Sequence, residues 1–123
     1  MTILYIALGG TAGTLARYGL QGWLQPRAGS FPIGTLAVNL LGSLVLGFIV
    51  RFGTGSAVMS PEVRGGLTIG FCGGFTTMSS FSYETVRLLG DGDYWRAGLY
   101  AGGTIVGCLA TMILGSALAD KLL

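Results

Sequence analysis

Four long apolar stretches, separated by short polar connections, set the pattern of this chain. They cover residues 3–24, 33–50, 65–83 and 97–119. Each is close to the about 20 residues that an α-helix needs to cross the hydrocarbon of a bilayer. The connections are too short to form a soluble domain. The pattern therefore predicts one domain over residues 1–123, an all-α, multi-pass membrane protein with four transmembrane helices.

The third stretch combines a weak point in the helix with a run of hydroxyls. Gly73 and Gly74 stand together, and glycine is the weakest helix former apart from proline. Inside a bilayer, an interrupted helix is tolerated where its freed backbone groups line a cavity or are buried in protein. We therefore expect a broken third helix that lines a path for something polar. Five hydroxyl residues follow the glycines: Thr76, Thr77, Ser79, Ser80 and Ser82.

The composition agrees with a membrane protein and excludes several kinds of chemistry. Charged residues make up 10% of the chain and the mean hydropathy is +0.71, whereas an average soluble domain is about 25% charged. The chain has no histidine, and no Asp or Glu lies within the four stretches. Proton-coupled transport usually needs such a group at membrane depth. We expect neither an enzyme nor a nucleic-acid partner.

Two other classes of membrane protein stay open at this point. A small four-helix drug-resistance exporter would have a similar size, but that class needs a glutamate in the first helix, where this chain has Arg17. A scaffold subunit would transport nothing and would gain little from a broken helix filled with hydroxyls.

The basic residues of the connections are shared evenly between the two sides. The positive-inside rule therefore favours neither orientation, and two oppositely inserted copies could pair as an antiparallel homodimer. A single fixed orientation is the alternative. The side of the termini carries Arg51, Arg64 and Lys121, and the other side carries Arg27, Arg87 and Arg96. Glycine pairs at spacing four favour close helix packing, within one subunit or between two: Gly9/Gly13, Gly66/Gly70, Gly70/Gly74, Gly98/Gly102 and Gly103/Gly107.

Three side chains of the apolar stretches are candidates for contact with an anion. Arg17 could draw an anion into a vestibule or extend its charge to the surface, and Glu84 is a candidate ion-pair partner. The N–H groups of Asn39 could bind an anion or bond a neighbouring helix. Phe81 lies beside the hydroxyl run, and the positive edge of its ring can contact an anion.

The fourth stretch places polar side chains at a spacing of four residues, which puts them on one helix face. These are Tyr100, Thr104 and Cys108. The hydroxyls could bond a permeating ion or a carbonyl one turn earlier. We interpret Cys72 and Cys108 as packing residues, because free cysteine is common in protein interiors.

Four segments, spread over nearly the whole chain, resemble the Fluc (CrcB) fluoride channels. They are GGTAGTLARYGL at 9–20, PIGTLAVNLLGSLVLG at 32–47, GFCGGFTTMSSFSYET at 70–85 and YAGGTIVGCLAT at 100–111. The second and third are specific, since the order and spacing of their residues agree together. The resemblance implies a dual-topology, antiparallel homodimer in the bacterial inner membrane, with two pathways that passively export cytoplasmic fluoride.

The resemblance also implies roles for individual residues. Backbone carbonyls of Gly73 and Thr76 would hold a structural sodium ion (Na⁺) between the two subunits. Arg17 matches the basic residue of the vestibule. Met78 departs from the family, because a phenylalanine usually stands there, and Cys108 replaces an expected serine. The residues that match the fluoride pathway are Asn39, Phe81, Ser79, Ser80, Tyr100 and Thr104, with Met78 at the altered position.

Overall fold

The computed structural model describes the backbone of residues 1–123 and every side chain except those of Arg27 and Ala28, so the predicted loop charge of Arg27 lies outside the described side chains. All the regular secondary structure of the described backbone is helical, which confirms the all-α prediction. The helices are α1 (Thr2–Ala28), α2 (Ile33–Gly55), α3 (Pro61–Gly65), a π-helical segment (Gly66–Cys72), α4 (Gly73–Phe75), α5 (Met78–Gly90) and α6 (Tyr94–Asp120). Residues 61–75 form one continuous helical stretch, and α5 follows it after a short break. Together they make an interrupted third segment, so the chain has four long helical segments with α1, α2 and α6.

Two of these helices are long and apolar enough to cross a membrane by length and composition. They are α2, with a mean hydropathy of 2.2, and α6, with 1.7. The third segment is divided between residues 61–75 and α5, so neither part alone has the length of a span. By length and hydropathy, the structure therefore supports two of the four predicted membrane spans, namely α2 and α6.

Glycines allow the helices of one protomer to approach closely. A Cβ at Gly13 of α1 would collide with the Phe71 carbonyl of the π-helical segment. In the same way, a Cβ at Gly115 of α6 would collide with the Leu44 carbonyl of α2. These glycines therefore serve packing within the subunit. Three glycines of α6 have no atom within 4 Å of a built Cβ: Gly98, Gly102 and Gly103.

The break in the third segment falls at Thr76 and Thr77, just after the predicted glycine pair. Both threonines are extended, with φ/ψ of −88°/159° and −151°/107°. Gly73 and Gly74 remain helical. A Cβ on Gly74 would lie 2.7 Å from the Gly10 carbonyl oxygen of α1. Gly74 is thus needed for packing against α1, while the β-branched threonines accept the extended backbone.

The second half of the third segment starts from a side-chain cap and packs on α6. The Thr77 hydroxyl accepts a hydrogen bond of 3.1 Å from the Ser80 N–H, which satisfies one of the free donors at the start of α5. Leu88 of α5 is buried against Ala97 and Tyr100 of α6. This cluster holds α5 in place, so that its hydroxyls face α1 and α2.

Candidate functional site

Asn39 bridges the break in the third segment. Its Oδ1 accepts from the Thr77 N–H at 2.8 Å, and its Nδ2 donates to the Thr77 carbonyl at 3.2 Å. Asn39 and Thr77 are 8% and 9% exposed, so both bonds are shielded from water. The amide replaces the two bonds that Thr77 would make in a continuous helix. Of the two roles considered for Asn39, the structure shows the helix-to-helix bond, and one N–H of the amide is left over.

Arg17 binds the carbonyl end of the first half of the broken segment. Its Nε donates to the Gly74 carbonyl at 3.0 Å, and its Nη1 donates to Gln21 Oε1 at 3.3 Å. A cation is favourable there, because a helix carries partial negative charge at its C-terminal end. Among the described side chains, Arg17 forms no ion pair with Glu84. Glu84 instead accepts a long bond of 3.4 Å from the Tyr100 hydroxyl.

A cavity of about 260 Å³, which we call the inner cavity, lies beside the break. Thr104 contributes a hydroxyl that is buried and, among the described atoms, has no hydrogen-bond partner. An unpaired buried hydroxyl is costly, so this atom is a ready donor for a guest in the cavity. The lining residues are Asn39, Gly42, Ser43, Leu46, Thr76, Thr77, Met78, Phe81, Thr104, Ile105 and Cys108.

A second, more polar space of about 410 Å³ lies between α1, α2 and α5, and we call it the outer cleft. Its charged residues are Glu84 and Arg87. The other lining residues are neutral hydrogen-bonding side chains: Gln21, Gln25, Thr35, Ser79, Ser80 and Tyr83. The cleft can therefore hold water or a hydrated ion.

Hydroxyls connect the inner cavity with the outer cleft. Thr77 lines the inner cavity, and its Oγ1 lies 3.0 Å from Ser80 Oγ and 3.2 Å from Ser79 Oγ. Both serines line the outer cleft. Ser79 is exposed and Ser80 is half-buried. Hydroxyl groups in contact with one another thus line the boundary between the two spaces.

Aromatic rings form one wall of this route. Phe81 lines the inner cavity and packs on Tyr100, with ring centroids 5.3 Å apart and planes inclined by 42°. Tyr100 is fully buried and meets Phe31 edge to face at 5.7 Å. Tyr100 therefore holds the Phe81 ring in place from behind. Met78 is 72% exposed, so one wall of the inner cavity is open to the outside of the protomer.

The residues predicted to hold a cation present backbone carbonyls at the break. Thr76 turns both its N–H and its hydroxyl to the Cys72 carbonyl, at 3.0 and 2.9 Å. The Gly73 carbonyl loses its usual donor, because the Thr77 N–H is bonded to Asn39. Gly73 is exposed on the protomer surface. The described residues contain no group of three or more His, Cys, Asp or Glu that could hold a metal ion.

Three further residues belong to the site although the sequence did not single out their roles. Gln21 and Thr35 line the outer cleft and bond each other at 2.9 Å. Thr77 provides the backbone partner of Asn39. Gln21 stands four residues after Arg17, a spacing that places both on one helix face and would have identified the pair. The contact with Thr35 on another helix has no comparable signal.

Comparisons with known proteins agree on one family. Residues 4–116 match the model described as CrcB-like protein, Camphor Resistance (CrcB). Three similar curated proteins are each named fluoride-specific ion channel FluC. The one from Geotalea uraniireducens is 48% identical over 98% of both chains. The one from Sorangium cellulosum is 49% identical over 97% of this chain and 94% of the relative. The one from Chlorobaculum tepidum is 47% identical over 95% and 93%.

Proposed function

This chain belongs to the CrcB-like family, and we propose that it is a fluoride-specific ion channel of a bacterial inner membrane. Transport is passive: fluoride leaves the cytoplasm down its electrochemical gradient. Fluoride that enters as neutral HF ionises inside and cannot return through lipid as an anion. A selective leak lets the membrane potential expel it. The chain is a channel and not an enzyme.

The observation that carries this function is the hydroxyl-lined connection between the outer cleft and the inner cavity. Fluoride is small and strongly hydrated, and transferring a bare small ion into low dielectric costs tens of kcal/mol. The path must therefore replace water with O–H and N–H donors. Ser79 and Ser80 supply hydroxyl donors between the two spaces, where both lie beside Thr77 Oγ1, and Thr104 supplies an unpaired one in the inner cavity.

Beyond Glu84 and Arg87 of the outer cleft, the proposed route offers fluoride neutral dipoles rather than a fixed charge. It enters the outer cleft, passes the Ser79 and Ser80 hydroxyls, and reaches the inner cavity. There the Thr104 hydroxyl, the spare Asn39 N–H and the edge of Phe81 are the donors. Neutral donors suit conduction, because an ion must bind well enough to enter and weakly enough to leave. The Arg17 charge is held on the Gly74 carbonyl.

We propose further that the working unit is an antiparallel homodimer with two pathways. The inner cavity is open on one side, since Met78 is 72% exposed, and a partner would complete that wall. The outer face of α6 supports a second contact surface, because Gly98 and Gly102 have open space around them and such glycines let helices approach closely. The even distribution of basic residues permits both orientations.

The residues at the break fit a structural sodium ion (Na⁺) at the surface between the protomers. The Gly73 carbonyl lacks its helical donor and lies at a helix C-terminus, where partial negative charge favours a cation. Together with the Thr76 carbonyl it would offer oxygen ligands from each subunit, the type of donor that broken membrane helices present to such ions. A bound ion would offset the partial negative charge of these carbonyls and would link the subunits. A melting temperature in detergent that is the same in sodium and in N-methylglucamine salts would contradict sodium binding.

Efflux from liposomes tests the function. Purified protein is reconstituted with internal potassium fluoride or potassium chloride, valinomycin clamps the potential, and an ion-selective electrode follows the anion released. We expect rapid fluoride release, no chloride release and no need for a proton gradient. Chloride efflux at a similar rate, or no fluoride efflux at all, would refute the function.

The antiparallel arrangement has its own test. A cysteine added at the N-terminus is labelled in intact cells with a membrane-impermeant maleimide, and the native Cys72 and Cys108 are first changed to alanine. About half of the chains should react if both orientations occur. Labelling of all or none of them would show one fixed orientation.

A further inference from the structure

A row of hydrogen bonds runs from Arg17 through Gln21 to Thr35 at the wall of the outer cleft. Arg17 donates to Gln21 Oε1 at 3.3 Å, and Gln21 Nε2 donates to Thr35 Oγ1 at 2.9 Å. Arg17 is thus connected to Thr35, a residue of the outer cleft, through the side chain of Gln21.

The direction of the first two bonds follows from the chemistry of the groups. A guanidinium has only donors, so the Gln21 oxygen must face Arg17 and its NH₂ must face Thr35. The opposite orientation of the amide would place two sets of N–H groups against each other. Arg17 is itself held by the Gly74 carbonyl at 3.0 Å. The Arg17 guanidinium therefore determines that the NH₂ group of Gln21, and not its oxygen, faces Thr35.

The consequence for Thr35 is that its hydroxyl hydrogen is kept free. Thr35 is 2% exposed, and it lines the outer cleft. Gln21 occupies one lone pair of its oxygen, so its hydrogen is directed away from Gln21 and is available for an anion in the cleft. Without Gln21, the hydroxyl of a helical threonine readily turns to a carbonyl one turn earlier. The Thr35 hydroxyl would then present an oxygen lone pair to the outer cleft instead of its hydrogen.

We propose that Gln21 is a positioning residue that turns the Thr35 hydroxyl into a donor for anions in the outer cleft. This role rests on the proposed fluoride conduction, since it concerns the entrance of the same pathway. Gln21 acts through Thr35 and has no contact with the inner cavity, whose described lining does not include it. Its effect should therefore appear in how fluoride enters rather than in how it crosses the narrow part.

The test measures conductance in planar bilayers over a range of fluoride concentrations for Gln21→Leu, Thr35→Val and the double variant. Losing one hydrogen bond to the anion, about 1.5 kcal/mol, corresponds to about a tenfold change. We expect Gln21→Leu to raise the half-saturating fluoride concentration about tenfold, with the maximal conductance nearly unchanged. Thr35→Val should have a similar effect. The double variant should have the same half-saturating concentration as Thr35→Val alone. Thr35→Ser keeps the hydroxyl and should have the wild-type half-saturating concentration.

Controls separate this role from a general loss of structure. Thr11→Val removes an exposed hydroxyl of α1 that bonds its own helix, and it should leave the half-saturating concentration unchanged. Gln21→Met, which keeps an unbranched side chain, replaces Gln21→Leu if that variant is not recovered folded. A wild-type half-saturating concentration in the folded variant, or additive effects in the double variant, would overturn the inference while wild-type fluoride efflux stands. Absence of efflux from the wild type would instead overturn the proposed function.

Discussion

Replacing Asn39 with leucine should destabilise the break more than any substitution outside it. Leucine keeps the approximate size of the side chain but removes both bonds to Thr77, of 2.8 and 3.2 Å. Thr77 is only 9% exposed, so water cannot replace the lost partners. Leaving a buried donor or acceptor unpaired costs about 1–3 kcal/mol each. The expected loss is therefore about 2–6 kcal/mol of unfolding free energy for the two groups together.

The assay is thermal unfolding in detergent, followed by size-exclusion chromatography of the surviving protein, together with fluoride efflux from liposomes. We expect a clearly lower melting temperature and strongly reduced efflux for Asn39→Leu. The control is Thr54→Val, which removes a hydroxyl that bonds carbonyls of its own helix at the exposed end of α2. A substitution of that kind changes stability by about 0.5 kcal/mol or less.

The result that would refute the reasoning is an Asn39→Leu protein with the melting temperature and the efflux of the wild type. The amide would then not be needed to hold the extended backbone at Thr76 and Thr77. A normal melting temperature with lost efflux would instead mean that other contacts hold the break and that the Asn39 N–H is needed in the fluoride pathway.

Three further predictions concern the walls of the pathway and the packing of the helices. Phe81→Ile should reduce fluoride efflux strongly, because it removes the ring edge while keeping bulk; undiminished efflux would show that Phe81 only packs against Tyr100. Met78→Phe should fold normally and conduct, because the resemblance to the fluoride channels implies a phenylalanine at this position; a fall in melting temperature would contradict this. Gly115→Ala should lower the melting temperature by the equivalent of about 1–3 kcal/mol, because its Cβ would meet the Leu44 carbonyl, and an unchanged value would disprove that close contact.

The broken third segment shows how far a local pattern can locate a structural feature. The glycine pair and the hydroxyl run correctly indicated an interruption in this region. The structure places it at Thr76 and Thr77, because Gly74 is required for the approach to α1 and stays helical. Intrinsic helix propensity treats each residue by its own backbone preference. Helix propensity takes no account of the packing neighbour, here Gly10 of α1, whose close approach requires a glycine at position 74.

The candidate site shows the same division for individual side chains. Asn39, Phe81 and Thr104 were singled out from the sequence, and all three line the inner cavity. Ser79 and Ser80 line the outer cleft instead, while Tyr100 supports Phe81 from behind. The expected pair of Arg17 and Glu84 is not formed among the described side chains.

The amino-acid sequence by itself determined the membrane location, the four helical segments, the weak point in the third and the family, because these depend on hydrophobic length and on local order of residue types. Tertiary structure alone decided which groups satisfy the broken backbone. Asn39 reaches Thr77 across 38 positions, and Arg17 reaches Gly74 across 57. In a membrane interior each freed N–H and carbonyl must find a partner within the protein. That partner depends on how the helices pack, which no local pattern records.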